Sequence, residues 1–228
     1  MKILFKNKII ALLLAITAAL SLFAACKMNR SYDEEEVASV SRELIKRSEV
    51  LNVIYYGEGI KYIEDASYAN GAYYKADPIY LAAIGIETLD DLKKETREVF
   101  SEGLSNIMIN TALAPFVDDS GVQRFSRYYQ KFSALDDTPE CIMVYKDAPV
   151  LLTSTLTYDY KTLKVLESVG DIVYVSIDAE VENKDGKSQK RQIKIGLIEE
   201  KSGWKLDTST YVNYADLDYY YDMQNKEN

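Results

Sequence analysis

The sequence predicts an α+β domain in which N-terminal helices pack on a curved C-terminal antiparallel sheet. Two observations carry that expectation. Apolar residues recur at helical spacing through the first half of the chain, and from about Val122 onward the period falls to two. Helices followed by consecutive strands is the pattern of a sheet covered on one face by helices.

The first helix is expected to start at Asp33, an N-cap residue, with Glu34, Glu35 and Glu36 in the first turn where the helix dipole favours negative charge. Val37, Val40, Leu44, Leu51, Ile54 and Tyr55 then form one apolar stripe, and Gly57 is placed to end it. Residues 57–70 read as a loop, and Gly71 to Lys75 as a short strand before Asp77-Pro78. Ile79 to Glu87 reads as an insertion. Thr88 with Asp91 three residues on is a capping-box start for a second helix, with Leu89, Leu92, Val99 and Phe100 on one side. Its continuation past Gly103 is expected to reach Leu113 and to stop at Ala114-Pro115, before a turn at Asp118-Asp119-Ser120-Gly121. Phe125 to Phe132 reads as a polar-aromatic turn or helix. Thr157 to Glu167 is the first strand of a meander. Val173, Val175, Ile177, Ala179 and Val181 alternate with polar residues, as do Ile193, Ile195 and Leu197. Glu182 to Lys187 is the hairpin signal between these strands, and Lys201-Ser202-Gly203 leads into a last strand through Trp204 and Leu206. The expected boundaries are an N-terminal export segment over 1–25, a tether over 26–33, one domain over 34–214, and an acidic tail over 215–228 that carries three tyrosines.

Lys2, Lys6 and Lys8 precede an apolar run of 17 residues, Ile9 to Ala25, which is the layout of a secretory signal. A membrane-spanning helix usually needs about 20 apolar residues, so the run suits an h-region better than a span. The run closes in Leu22-Phe23-Ala24-Ala25-Cys26, which resembles the lipobox of bacterial lipoproteins, where small residues precede a cysteine that takes a diacylglyceryl group before cleavage. The resemblance implies lipid attachment at Cys26 and a place at the outer face of the plasma membrane. An uncleaved anchor is the other reading, and it too leaves the domain outside, because the lysines stay on the cytoplasmic side.

Without residues 1–25 the chain keeps 24 basic against 36 acidic side chains, a formal charge of −12. Nucleic acid is therefore not an expected partner, since phosphate neutralisation needs a basic face. An acidic domain attracts cationic proteins or peptides, and the same acidity keeps a surface protein soluble. There is no histidine, which removes Ser-His-Asp and Cys-His catalysis and most zinc or copper ligation. No catalytic residue, metal or cofactor is expected. Cys141, in Cys-Ile-Met-Val-Tyr, is expected to be a buried small hydrophobe.

Several segments in order resemble the bacterial DL-endopeptidase inhibitor family and its cystatin-like and nuclear-transport-factor-2-like neighbours. They are Tyr55-Tyr56-Gly57-Glu58, Tyr73-Tyr74 before Pro78, Thr88 to Lys93 leading to Val99-Phe100-Ser101, and a closing strand around Trp204-Lys205. The resemblance implies a membrane-anchored inhibitor or modulator of a cell-wall hydrolase, an exported partner held by occupation of its cleft.

Nineteen tyrosines are an excess, and they fall in the groups Tyr55-Tyr56, Tyr73-Tyr74, Tyr128-Tyr129 and Tyr219-Tyr220-Tyr221. Tyrosine gives large contact area at low entropic cost, so Tyr56, Tyr74, Tyr129 and Trp204 are the candidate binding residues. The competing reading puts one tyrosine of each pair in the core and the other at its rim. Two further functions stay open: a small ligand or glycan on the concave face of the sheet, and a hydrolase using carboxylates. Asp118-Asp119 and Asp136-Asp137 are explained by turn chemistry.

Overall fold

The computed structural model describes residues 32–68, 71–115, 126–131, 140–152 and 154–211. The export segment, Cys26, most of the tether, the two Asp-Asp turns and the tail lie outside the described residues. Among these residues, the fold is α+β as expected, with helices packed on a C-terminal antiparallel sheet.

Helix α1 spans Glu34–Tyr56. Asp33 caps it, its carboxylate accepting from the backbone N–H of Glu35 at 2.9 Å and of Glu36 at 3.2 Å. Gly57 closes it by donating to the carbonyls of Asn52 and Val53. A Cβ at Gly57 would lie 2.9 Å from the Val53 carbonyl oxygen, so only glycine fits this ending. The buried face holds the expected residues except Val40, which is half-buried, and also Ile45, Ser41, Ser48 and Asn52. The two hydroxyls and the Asn52 amide nitrogen are satisfied inside the protein, while Asn52 Oδ1 is buried without a partner among the described residues. The Ser41 hydroxyl donates to Val37 O, Ser48 Oγ lies 2.6 Å from Thr210 Oγ1, and Asn52 Nδ2 donates to that same Thr210 oxygen at 2.8 Å.

Residues 57–70 are not all loop. Tyr62–Tyr68 is strand β1, which pairs with β2, Tyr73–Ala76. β1 is an edge strand with mostly exposed side chains and a break in register between Tyr62 and Ser67. A strand without a buried face shows no alternation to read. Asp77-Pro78 starts a helix, α2 (Pro78–Ile84), with Asp77 as N-cap and Pro78 in the first turn, where a missing N–H costs nothing. The supposed insertion is thus largely this helix.

Helix α3 covers Leu89–Val99 and has the full capping box between Thr88 and Asp91. The hydroxyl and N–H of Thr88 hold the Asp91 carboxyl below the usual carboxylate range. The helix does not run on to Leu113. Phe100 is extended, and a separate helix α4 (Glu102–Leu113) starts from the N-cap Ser101. Phe100 pairs in parallel with Leu206, and the N–H of Ser101 donates to Leu206 O, so the break ties both helices to the sheet edge.

Strands β3 (Tyr128–Lys131) and β4 (Cys141–Tyr145) complete a first sheet with order β1-β2-β4-β3. The turn or helix expected at Phe125 to Phe132 is corrected, since its described part forms β3. Four residues are too few for a period to show. Cys141 is half-exposed rather than buried, because it opens β4 while Ile142, Met143 and Val144 take the buried places. The second sheet is the expected meander of β5 (Ser154–Val169), β6 (Ile172–Asn183), β7 (Ser188–Glu200) and β8 (Gly203–Leu206). Val173, Val175, Ile177, Ala179, Val181, Ile195 and Leu197 all face the helices and are buried.

One continuous core joins α1, α3, α4 and both sheets. Two polar ties fix α1 within it. Arg47 clamps α3 through both carboxylate oxygens of Glu95 at 2.8 Å, with Glu98 at 3.0 Å, and this pairing raises its already high pKa. At the other end, the buried Arg127 guanidinium donates to Gly57 O, to Pro149 O at 2.9 Å and to Tyr128 Oη at 3.0 Å. Tyr128 Oη in turn donates to Ile54 O at 2.7 Å and accepts from Ile60 N at 3.1 Å. Carbonyls that a helix C-terminus leaves without partners are thereby satisfied, with positive charge where the dipole favours it.

Candidate functional site

The tyrosine pairs divide as the core-and-rim reading predicts. Tyr55, Tyr73 and Tyr128 are buried, and Tyr56, Tyr74 and Tyr129 are half-buried. Each rim tyrosine meets another ring. Tyr56 lies 4.6 Å from Tyr211, Tyr74 lies 5.0 Å from Tyr62, and Tyr129 meets Tyr73 edge-on at 4.7 Å. Burial, and then the neighbouring Tyr211, push the Tyr56 phenol up to about 12. The three do not form one platform. Tyr74 pairs in register with Val144, which belongs to the core, whereas Tyr129 pairs with Met143 on the opposite side of the sheet.

Trp204 stands apart from them, in a cleft of about 150 Å³. It is cross-strand partner to Glu199 on β7, and the β5–β6 turn brings Asp171 to the same place. The start of α1 supplies Asp33 and Glu36, and Tyr32 forms a second aromatic wall. No Lys or Arg lines this cleft among the described residues. Carboxylates beside an indole suit a cation, which gains a charge-assisted hydrogen bond from one and attraction to the ring face from the other. The acidic partners escape sequence reasoning for a specific reason. Asp33 and Glu36 read as helix-start chemistry, and Asp171 reads as a turn residue. Only the aromatic character of Trp204 gave a signal.

The helix-facing side of the meander carries buried core residues. An open hollow of about 520 Å³ lies over three rungs of the meander, Thr157–Glu180–Lys190, Tyr158–Ala179–Arg191 and Asp159–Asp178–Gln192. The side chains of the two outer rungs are exposed hydrogen-bonding groups. Among the described residues no cluster of three or more Cys, Asp or Glu is placed to hold a metal ion, and no helix is long and apolar enough to cross a membrane. No family model matches the chain, and no curated protein matches it.

Proposed function

We propose that the chain is an extracytoplasmic lipoprotein, held at the outer face of the plasma membrane by lipid on Cys26. Its folded domain then acts as a non-enzymatic binding module for a cationic group of another exported protein. The family resemblance adds a cell-wall hydrolase as the partner class, inhibited or modulated by this contact. The observation that carries the reading is the Trp204 cleft, which two aromatic side chains and four carboxylates line, with no basic residue among the described ones.

Trp204 is the only tryptophan in the chain, so its fluorescence reports on the cleft directly. Titration with a lysine-rich peptide is expected to change the emission at low salt. The change should vanish at high salt, with the Nε-acetylated peptide, and in the Glu36→Gln/Asp171→Asn variant. An equal response to the acetylated peptide would sink the cation reading. The hollow over Asp159, Asp178 and Gln192 favours a second reading, a small-ligand or glycan-binding protein. A neutral wall fragment that raises the thermal midpoint where the peptide does not would support it. The address is tested separately, by intact mass of protein from a membrane fraction. An acylated species beginning at Cys26, absent in Cys26→Ala, is expected. A mass that includes Met1 and no lipid would withdraw the lipoprotein assignment.

A further inference from the structure

A groove of about 380 Å³ between α3 and the β7–β8 turn runs against the acidic character of the chain. Lys93, Lys94 and Arg97 of α3 line it, with Ser202 from the turn and Lys205 from β8. Spacings of three and four along a helix bring Lys94 and Lys93 beside Arg97. The two carboxylates in the lining are already engaged. Asp90 binds Lys93 at 2.8 Å, and Glu98 binds Arg47 at 3.0 Å, with Lys94 more distant at 3.9 Å. Arg97 is exposed and has no carboxylate within ion-pair distance among the described residues.

Lys205 is the less ordinary member. It is only 4% exposed, yet its ammonium has a single acceptor among the described residues, the carbonyl of Glu98 at 2.8 Å. An ammonium carries three donors, and a buried one with a single neutral acceptor is incompletely satisfied. A ligand oxygen in the groove would complete it, while the Arg97 fork and the exposed Lys94 meet the remaining oxygens. Three cations besides the Asp90-paired Lys93 exceed what one carboxylate needs and suit a phosphate-type oxyanion, which offers more charge and more acceptor oxygens.

We propose that this groove binds the phosphoryl group of a phosphoester, carried either by a soluble molecule or by a lipid headgroup. The overall formal charge does not forbid it. At physiological ionic strength the Debye length is about 8 Å, so the groups in contact with the ligand outweigh distant carboxylates. This site is separate from the Trp204 cleft, and its failure would leave that reading untouched.

The test uses the full chain in nonionic micelles and two probes, glycerol 3-phosphate in solution and phosphatidylglycerol mixed into the micelles. Calorimetric titration at low salt is expected to give saturable binding of at least one probe. Substituting Lys94→Gln with Arg97→Gln, both exposed, should weaken it about tenfold, as loss of charge-assisted contacts of this kind does. Binding of glycerol 3-phosphate identifies a soluble phosphoester, and binding of the lipid alone identifies a headgroup. The assignment is overturned if neither probe saturates, or if the double variant binds as the parent does. Lys205→Met, compared at equal thermal midpoint, should lose binding as well, and unchanged binding there would also overturn it.

Discussion

Arg127→Met is expected to lower unfolding free energy by about 3 kcal/mol, because one buried guanidinium serves three acceptors at once. Methionine keeps much of the length but no donor. Gly57 O, Pro149 O and Tyr128 Oη would each lose a charged partner at the point where α1 ends. Arg127 is 8% exposed and is closely packed on one flank, while its other flank lines a cleft of about 430 Å³. A Cβ on Gly59, whose φ is +85°, would already lie 2.6 Å from Tyr128 Oη and 2.9 Å from Arg127 Nη2. Arg127→Lys should recover only part of the loss, because an ammonium cannot reproduce the planar fork. Urea unfolding measures this. An unfolding free energy in Arg127→Met within about 0.5 kcal/mol of the parent would show that the guanidinium is not what holds the helix end.

Phe100→Ala is expected to cost about 4 kcal/mol, within the range for removing a buried aromatic ring. Phe100 is 1% exposed, occupies the break between α3 and α4, and pairs with Leu206 on the last strand. The cavity would open where two helices and a sheet edge meet, so the neighbours cannot close on it by moving one element alone. Ile107→Ala, at a site 62% exposed on α4, should change stability by less than about 0.5 kcal/mol and serves as the control. A loss below about 1.5 kcal/mol for Phe100→Ala would mean that the junction repacks and is not a rigid seam.

Features encoded in neighbouring residues were legible in the sequence. The Asp33 cap, the Thr88–Asp91 box, the Gly57 stop and the four-stranded meander all depend on spacings within a few residues, and each stands where expected. The first sheet was mostly hidden, because its centre joins β2 to β4 across a long stretch of intervening chain and its edge strand buries no face. Ser41, Ser48 and Asn52 broke the apolar stripe of α1 for a related reason. Their partners are local carbonyls and a distant threonine, neither of which a hydrophobic pattern records. Among candidate site residues, Trp204 was visible as an aromatic, whereas the carboxylates around it arrive from three separate elements. The basic groove was concealed twice, since Lys93, Lys94 and Arg97 resemble an ordinary solvated helix face and Lys205 sits on a strand far along the chain.

The contact of Ser48 and Asn52 with Thr210 also sets a timetable. These partners are 162 and 158 residues apart, and the hydroxyl of Tyr158 donates to the carbonyl of the same threonine. A chain that emerges amino end first therefore forms α1 early but leaves the Asn52 amide without its final acceptor, and Ser48 without its threonine partner, until almost the whole domain has appeared. The closing stitch is the last to be delivered. Until then the polypeptide lacks the lock that makes its packing final.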